Sequence, residues 1–181
     1  CVAKRDELIG RGHAERLVPM IGELLDGRKA TDILVGVGPG SFTGIRVAIA
    51  AAHGLAIGWG AKLLGMSSLA LLAANSGAEG EIAAAVHGGH GELFVQQFAA
   101  TTVEPTSGLR NLTPADAAVF ATAPLVLGSG AQRLVEARGS GDAREAWPFA
   151  ANALALPPAL RSLPPKPVYA RAPDARAREA A

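Results

Sequence analysis

Leu17, Met20, Ile21 and Leu24 recur at i, i+3, i+4 and i+7, the apolar stripe of a helix lying on a surface. That pattern predicts a helix over His13–Leu25, with Gly27 as its C-cap. Residues 33–37 form an unbroken apolar run, as in a strand covered on both faces. Residues 43–59 predict a second helix, with Ile45, Ile49, Ala52 and Ala56 down one side. A short strand is expected at 62–65, then a helix over Ser68–Ala74 capped by Ser67. The polar, glycine-rich stretch 75–80 is a loop signal. Beyond it, 81–86 and 92–99 read as a hairpin across His87-Gly88-Gly89-His90-Gly91. Thr113-Pro114 opens a further helix, with Thr at N-cap and Pro at N1. Leu125–Leu127 reads as a strand, and Gly128-Ser129-Gly130 turns into a helix over 131–137. The tail from Leu156 is rich in proline and arginine. No internal repeat stands out.

Strands alternating with helices argue for an α/β fold. The change of texture near residue 75 divides it into an N-terminal lobe, 1–75, and a C-terminal lobe, 76–181. Apolar residues make up 49% of the 181 positions, enough for a real core and too many for wholesale disorder. Lys and Arg number 17 against 16 Asp and Glu, a net charge of +1, which gives no electrostatic case for autonomous nucleic-acid binding. Aromatics are only 4%, a poor supply of platforms for stacking bases. Cys1 is the one cysteine, so no intrachain disulfide can form and a cytoplasmic home fits. No signal peptide is visible. The longest apolar stretch, 47–64, is broken by His53, Lys62 and several glycines and reads as helix plus strand rather than a membrane span. Cys1-Val2-Ala3 looks like the tail of a strand, followed at once by charged residues. The first strands of the N-terminal lobe are therefore expected to be missing, before Cys1 or between Ala3 and Lys4.

Strand, glycine loop, helix is a common phosphate-binding arrangement, and Gly38-Pro39-Gly40-Ser41-Phe42-Thr43-Gly44-Ile45-Arg46 has that form. A Walker loop would need Lys-Ser or Lys-Thr after its last glycine, where this chain has Ile45-Arg46. A dinucleotide fingerprint would need its third glycine one residue earlier than Gly44, and an acidic residue about 20 positions on. The loop reads better as a tight strand-to-helix turn in which Pro39 stiffens the chain and Gly40 takes an unusual backbone angle. His87, His90 and Glu92 have metal-ligand chemistry but sit on a turn with no further strong ligand close in sequence, so a polar hairpin tip is favoured. His13 and Glu15 suit a helix start. His53, in an alanine-rich helix, suits a buried or interface histidine. Ser41 and Ser67 lack the glycine spacing of a nucleophile elbow, and Cys1 has no assigned partner. No catalytic set, metal site or cofactor site is complete.

The helix over 43–59 is apolar or small nearly all round. One side must cover the sheet, and a second also needs cover. Small side chains allow close helix approach. With the His13–Leu25 helix, whose Met20 adapts to varied contacts, it would make half of a four-helix bundle, the other half coming from another chain. The interface expected on this basis comprises Leu17, Met20, Ile21, Leu24, Ile45, Ile49, Ala52, His53 and Ala56.

GVGPGSFTGIRVAIAAAHGLA followed by LLGMSSLALLA closely resembles the signature of the TsaB (YeaZ) family. RGHAERLVPMIGELL, the hairpin ending GELFVQQF, and PVYARAPDA near the end agree, in the right order. The resemblance implies a two-lobed, actin-like ATPase fold with RNase H-like sheets. It implies a non-catalytic subunit, without cofactor, in the synthesis of N6-threonylcarbamoyladenosine beside the tRNA anticodon. Its implied partners are the transferase TsaD and the ATPase TsaE, with a homodimer through the same helical surface in isolation and tRNA met through the complex. Two departures stand out: no Asp-Thr strand precedes Cys1, and the His87–Gly91 turn replaces an Asp-Ala-Arg type turn. An ATP-binding enzyme or glycoprotease-like peptidase acting alone is the competing possibility, and a nucleotide sensor active only in a complex is a third. Arg171, Arg176 and Arg178 could touch tRNA, though a solvated basic tail is favoured.

Overall fold

The computed structural model describes residues 1–9 and 12–170. It is a mixed α/β arrangement built on two sheets. Helix α1 spans His13–Leu25 and none of its residues is fully buried; Leu17, Met20, Ile21 and Leu24 are half-buried, and the helix packs on α2, Phe42–Trp59. The left-handed residue ending α1 is Asp26 (φ 48°), one position before the glycine that the sequence suggests as cap. Arg28 then donates from Nε to the Leu25 carbonyl at 2.9 Å and from Nη2 to that of Leu24 at 3.4 Å. A cation thus meets the carbonyls that a helix end leaves unsatisfied.

Strand β1 (Asp32–Gly36) pairs in parallel with β2 (Lys62–Met66), Ile33 opposite Leu63 and Val35 opposite Gly65. Parallel neighbours need a crossover, and α2 supplies it. By length and composition α2 is apolar enough to cross a membrane. Here it lies on the small sheet, where Ile49 and Ala52 join Val35 and Val37 in a buried cluster that Ile45, Ala48, Leu63 and Leu163 flank. No other strand pairs with β1 among the described residues.

Helix α3 (Ser68–Ala74) begins where the Ser67 hydroxyl accepts from Ala70 N. It precedes the larger sheet in sequence but packs in that sheet's core. That sheet has strands β3 (Glu81–His87), β4 (Leu93–Ala99), β5 (Glu104–Pro105), β6 (Arg110–Leu112), β7 (Leu125–Leu127) and β8 (Asp142–Arg144). Their order is β5-β4-β3-β7-β8, with β6 also on β4. Strands β3 and β4 form the expected antiparallel hairpin, and β7 runs parallel to both β3 and β8. The period of two divides the core cleanly. Ile82, Ala84 and Phe98 face α3, with Leu69 and Leu72. Ala83, Ala85, Leu93 and Val95 face α4 (Pro114–Phe120) and α5 (Ala131–Arg138). Gln97 is buried on that second face, and its side-chain oxygen accepts from the backbone N–H of Thr122 and of Ala123, both at 2.9 Å.

After β8 the chain passes through a 3₁₀ segment, Ala150–Ala155, and the short α6, Pro158–Arg161, then returns to the small sheet. Ser67 N donates to Leu160 O at 2.9 Å, Gly65 and Leu163 exchange backbone bonds at 2.7 and 3.0 Å, and Val168 N donates to Val37 O at 2.8 Å. This strap lies so close to β2 that a Cβ on Gly65 would stand 2.6 Å from Val37 Cγ1 and 2.7 Å from Pro164 O.

Candidate functional site

The glycine loop links β1 to α2 as the sequence suggests. Ser41 is the N-cap, its hydroxyl accepting from Gly44 N at 3.2 Å. Positive φ occurs at Gly38 (104°) as well as at Gly40 (158°), and a side chain at Gly38 would begin 2.8 Å from Ile45 Cδ1. Pro39 is buried, Thr43 and Arg46 are exposed. The loop forms one wall of a cleft of about 440 Å³, whose other walls include Ser68, the β3 end at Val86 and His87, Ser129 and Trp147. Among the described residues no Lys, Arg, Asp or Glu lines it, and His87 is its one titratable side chain.

The hairpin tip is a 3₁₀ turn, Gly89–Gly91, with His90 at φ 57°. Glu92 accepts from Asn111 Nδ2 at 2.5 Å, and His87 N donates to the Ser129 hydroxyl at 3.3 Å. Among the described residues no three His, Cys, Asp or Glu side chains gather as metal ligands. His13 and Glu15 are exposed at the start of α1, and Ser67 is used as a cap.

The helical face needs a correction. Ile49 and Ala52, expected to meet a partner, are 8% and 6% exposed because the side of α2 bearing them is the side laid on β1 and β2. Ile45 points the same way, and Ala56 is half-buried. The exposed positions are Phe42, Thr43, Arg46, Ala50, His53, Gly54, Ile57 and Gly58, successive turns three and four apart along one helical row. Ile57 is 83% exposed. His53 Nε2 lies 3.4 Å from Pro165 O. The sequence pattern also passes over Phe42 and Tyr169, whose rings stand 6.0 Å apart; an aromatic one turn before Arg46 on an otherwise aromatic-poor helix is the signal that could have found the first.

The family model for TsaD, tRNA N6-adenosine threonylcarbamoyltransferase, matches residues 6–122. A solved structure of YeaZ from Pseudomonas aeruginosa superposes with a TM-score of 0.73 at 30% identity, over 90% of this chain and 86% of that one. The chain belongs to the TsaB (YeaZ) family. A second solved structure, a protein with similarity to peptidase YeaZ from P. aeruginosa, gives 0.72 at 31% identity over 91% and 87%. Among curated TsaB proteins, that of Escherichia coli K12, a tRNA threonylcarbamoyladenosine biosynthesis protein, is 35% identical over 100 residues, or 51% of this chain and 43% of its own length. The Haemophilus influenzae protein of the same name is 42% identical over 73 residues, 38% and 31%. The matches to these two curated TsaB proteins thus span less than half of their length. The family model stops at residue 122, so the strap of this TsaB-family chain lies beyond that match. Arg171, Arg176 and Arg178 lie outside the described residues.

Proposed function

We propose that this chain is a non-catalytic scaffold subunit in N6-threonylcarbamoyladenosine modification of tRNA. In this reading it binds a TsaD transferase through α1 and the exposed row of α2, works with TsaE in the cytoplasm, pairs with a second copy when alone, and meets tRNA through the complex. The lobes divide near residue 75, in the manner of a two-lobed actin-like fold, with α3 as connector. One observation carries the proposal: α2 leaves a row of apolar and small residues bare after covering its own sheet. The loop supports it, being a capped turn without the phosphate-binding lysine.

The test is capture of TsaD from the same organism by wild type and by Ile57→Glu. Loss of capture with an unchanged thermal transition is expected, and equal capture would remove the reading. The alternative is an ATP-binding enzyme acting alone, for which the cleft beside the glycine loop, despite its lack of lysine or arginine among the described residues, is the candidate site. Calorimetry with ATP and magnesium separates the two: saturable tight binding or turnover by the lone chain would favour the enzyme.

A further inference from the structure

Phe42, Arg46 and Tyr169 form a cluster that neither the loop nor the core requires. The Arg46 guanidinium carbon lies 3.8 Å from the centre of the Phe42 ring and 5.9 Å from that of Tyr169, and Nε donates to the Tyr169 hydroxyl at 3.1 Å. The rings remain 58% and 54% exposed. Among the described residues Nη1 and Nη2 have no acceptor and no salt bridge involves Arg46. No Asp or Glu occurs anywhere in α2. A flexible cation is thus held in one place by two rings and a hydroxyl, with its free edge turned to solvent.

We propose that this cluster is a preassembled receptor for a carboxylate on a partner protein, one flanked by apolar side chains that pack along Ala50, Gly54 and Ile57. Guanidinium offers two parallel donors that match the two oxygens of a carboxylate. Ring stacking already fixes the arginine, so less conformational freedom is lost on binding. Arginine and tyrosine beside an apolar row are the composition of an interface hot spot. RNA fits worse: it would need several cations along the row, and below Arg46 the row offers only His53 among small and apolar residues. The proposal rests on the scaffold reading and adds to it the chemistry of the contact.

The experiment measures affinity of the full chain for the transferase partner, wild type against Arg46→Gln, Arg46→Lys and Arg46→Glu, each checked for an unchanged thermal transition. Arg46→Gln is expected to weaken binding about thirtyfold. Arg46→Lys, which keeps the charge but loses the fork, should recover only part of it. Arg46→Glu should be rescued by one Asp→Lys or Glu→Lys change found in a scan of the partner's surface. A partner that binds wild type and Arg46→Gln equally overturns this proposal and leaves the scaffold reading standing. A partner that does not bind wild type removes both. Loss of tRNA retention with protein binding intact assigns the cluster to RNA and overturns it as well.

Discussion

Arg138 shows how much one side chain can organise. From the end of α5 its Nη1 donates to the carbonyls of Ala121 and Ala123 at 2.7 and 2.9 Å, and Nε to that of Ser140 at 2.9 Å. It closes the α4–β7 connection that Gln97 closes from the sheet side. Arg138→Ala should cost about 2–3 kcal/mol in urea unfolding, because carbonyls at a crowded junction lose charged donors; Arg138→Lys should recover little, since one ammonium cannot span three acceptors. At the opposite end Arg5, Glu7, Arg16 and Glu23 form an exposed network with contacts of 2.6–3.0 Å that ties the N-terminal segment to α1. The hydrogen bond from Arg16 is the largest cause holding the Glu7 carboxyl at about 2 instead of 4.5. A carboxyl lowered on folding contributes stability above its unfolded value and loses it as pH falls. The tie should therefore be intact above pH 4.5 and loosen towards pH 2, and an NMR titration of Arg16→Gln should find the Glu7 titration moved upward, with Arg5 still acting to lower it. Being exposed, the network adds little to global stability.

The elements with a sustained period were legible in the sequence. Helix α1 spans the predicted residues, and the hairpin pairs as its alternation implies. Strands β5, β6 and β8 were not legible, since they are as short as β7 or shorter but lack its apolar run and owe their form to neighbours already in place. The orientation of α2 was hidden for another reason. A helix apolar or small on nearly every side gives the same pattern whichever side meets the sheet, and only the packing assigns Ile49 and Ala52 inward and Ile57 outward. This yields a paired prediction. Ile49→Asp should destabilise the fold by about 3–5 kcal/mol, an unpaired charge in a buried cluster. Ile57→Asp should leave the thermal transition unchanged and act on association, read by light scattering.

On the scale of the molecule, two sheets are joined twice, once through α3 and once through the strap. The proline- and arginine-rich stretch from Leu156 shows no apolar period, so its pattern predicts no strand or helix. Extended backbone needs no period, and the N–H groups of Leu163 and Val168 reach the small sheet all the same. The Arg46–Tyr169 contact spans 123 positions, a separation no local pattern encodes. Deleting residues 158–181 should leave β3, β4 and β7 protected in hydrogen exchange while the amides of β1 and β2 become labile.

Translation runs from the amino end, so β1, α2 and β2 emerge before Leu160, Leu163 and Val168, the residues that reach back to the small sheet. Until they arrive, the outer edge of β2 stands open to water and to other nascent chains. The small sheet is therefore made well before the segment that completes it, and through that interval it is a natural client for a chaperone.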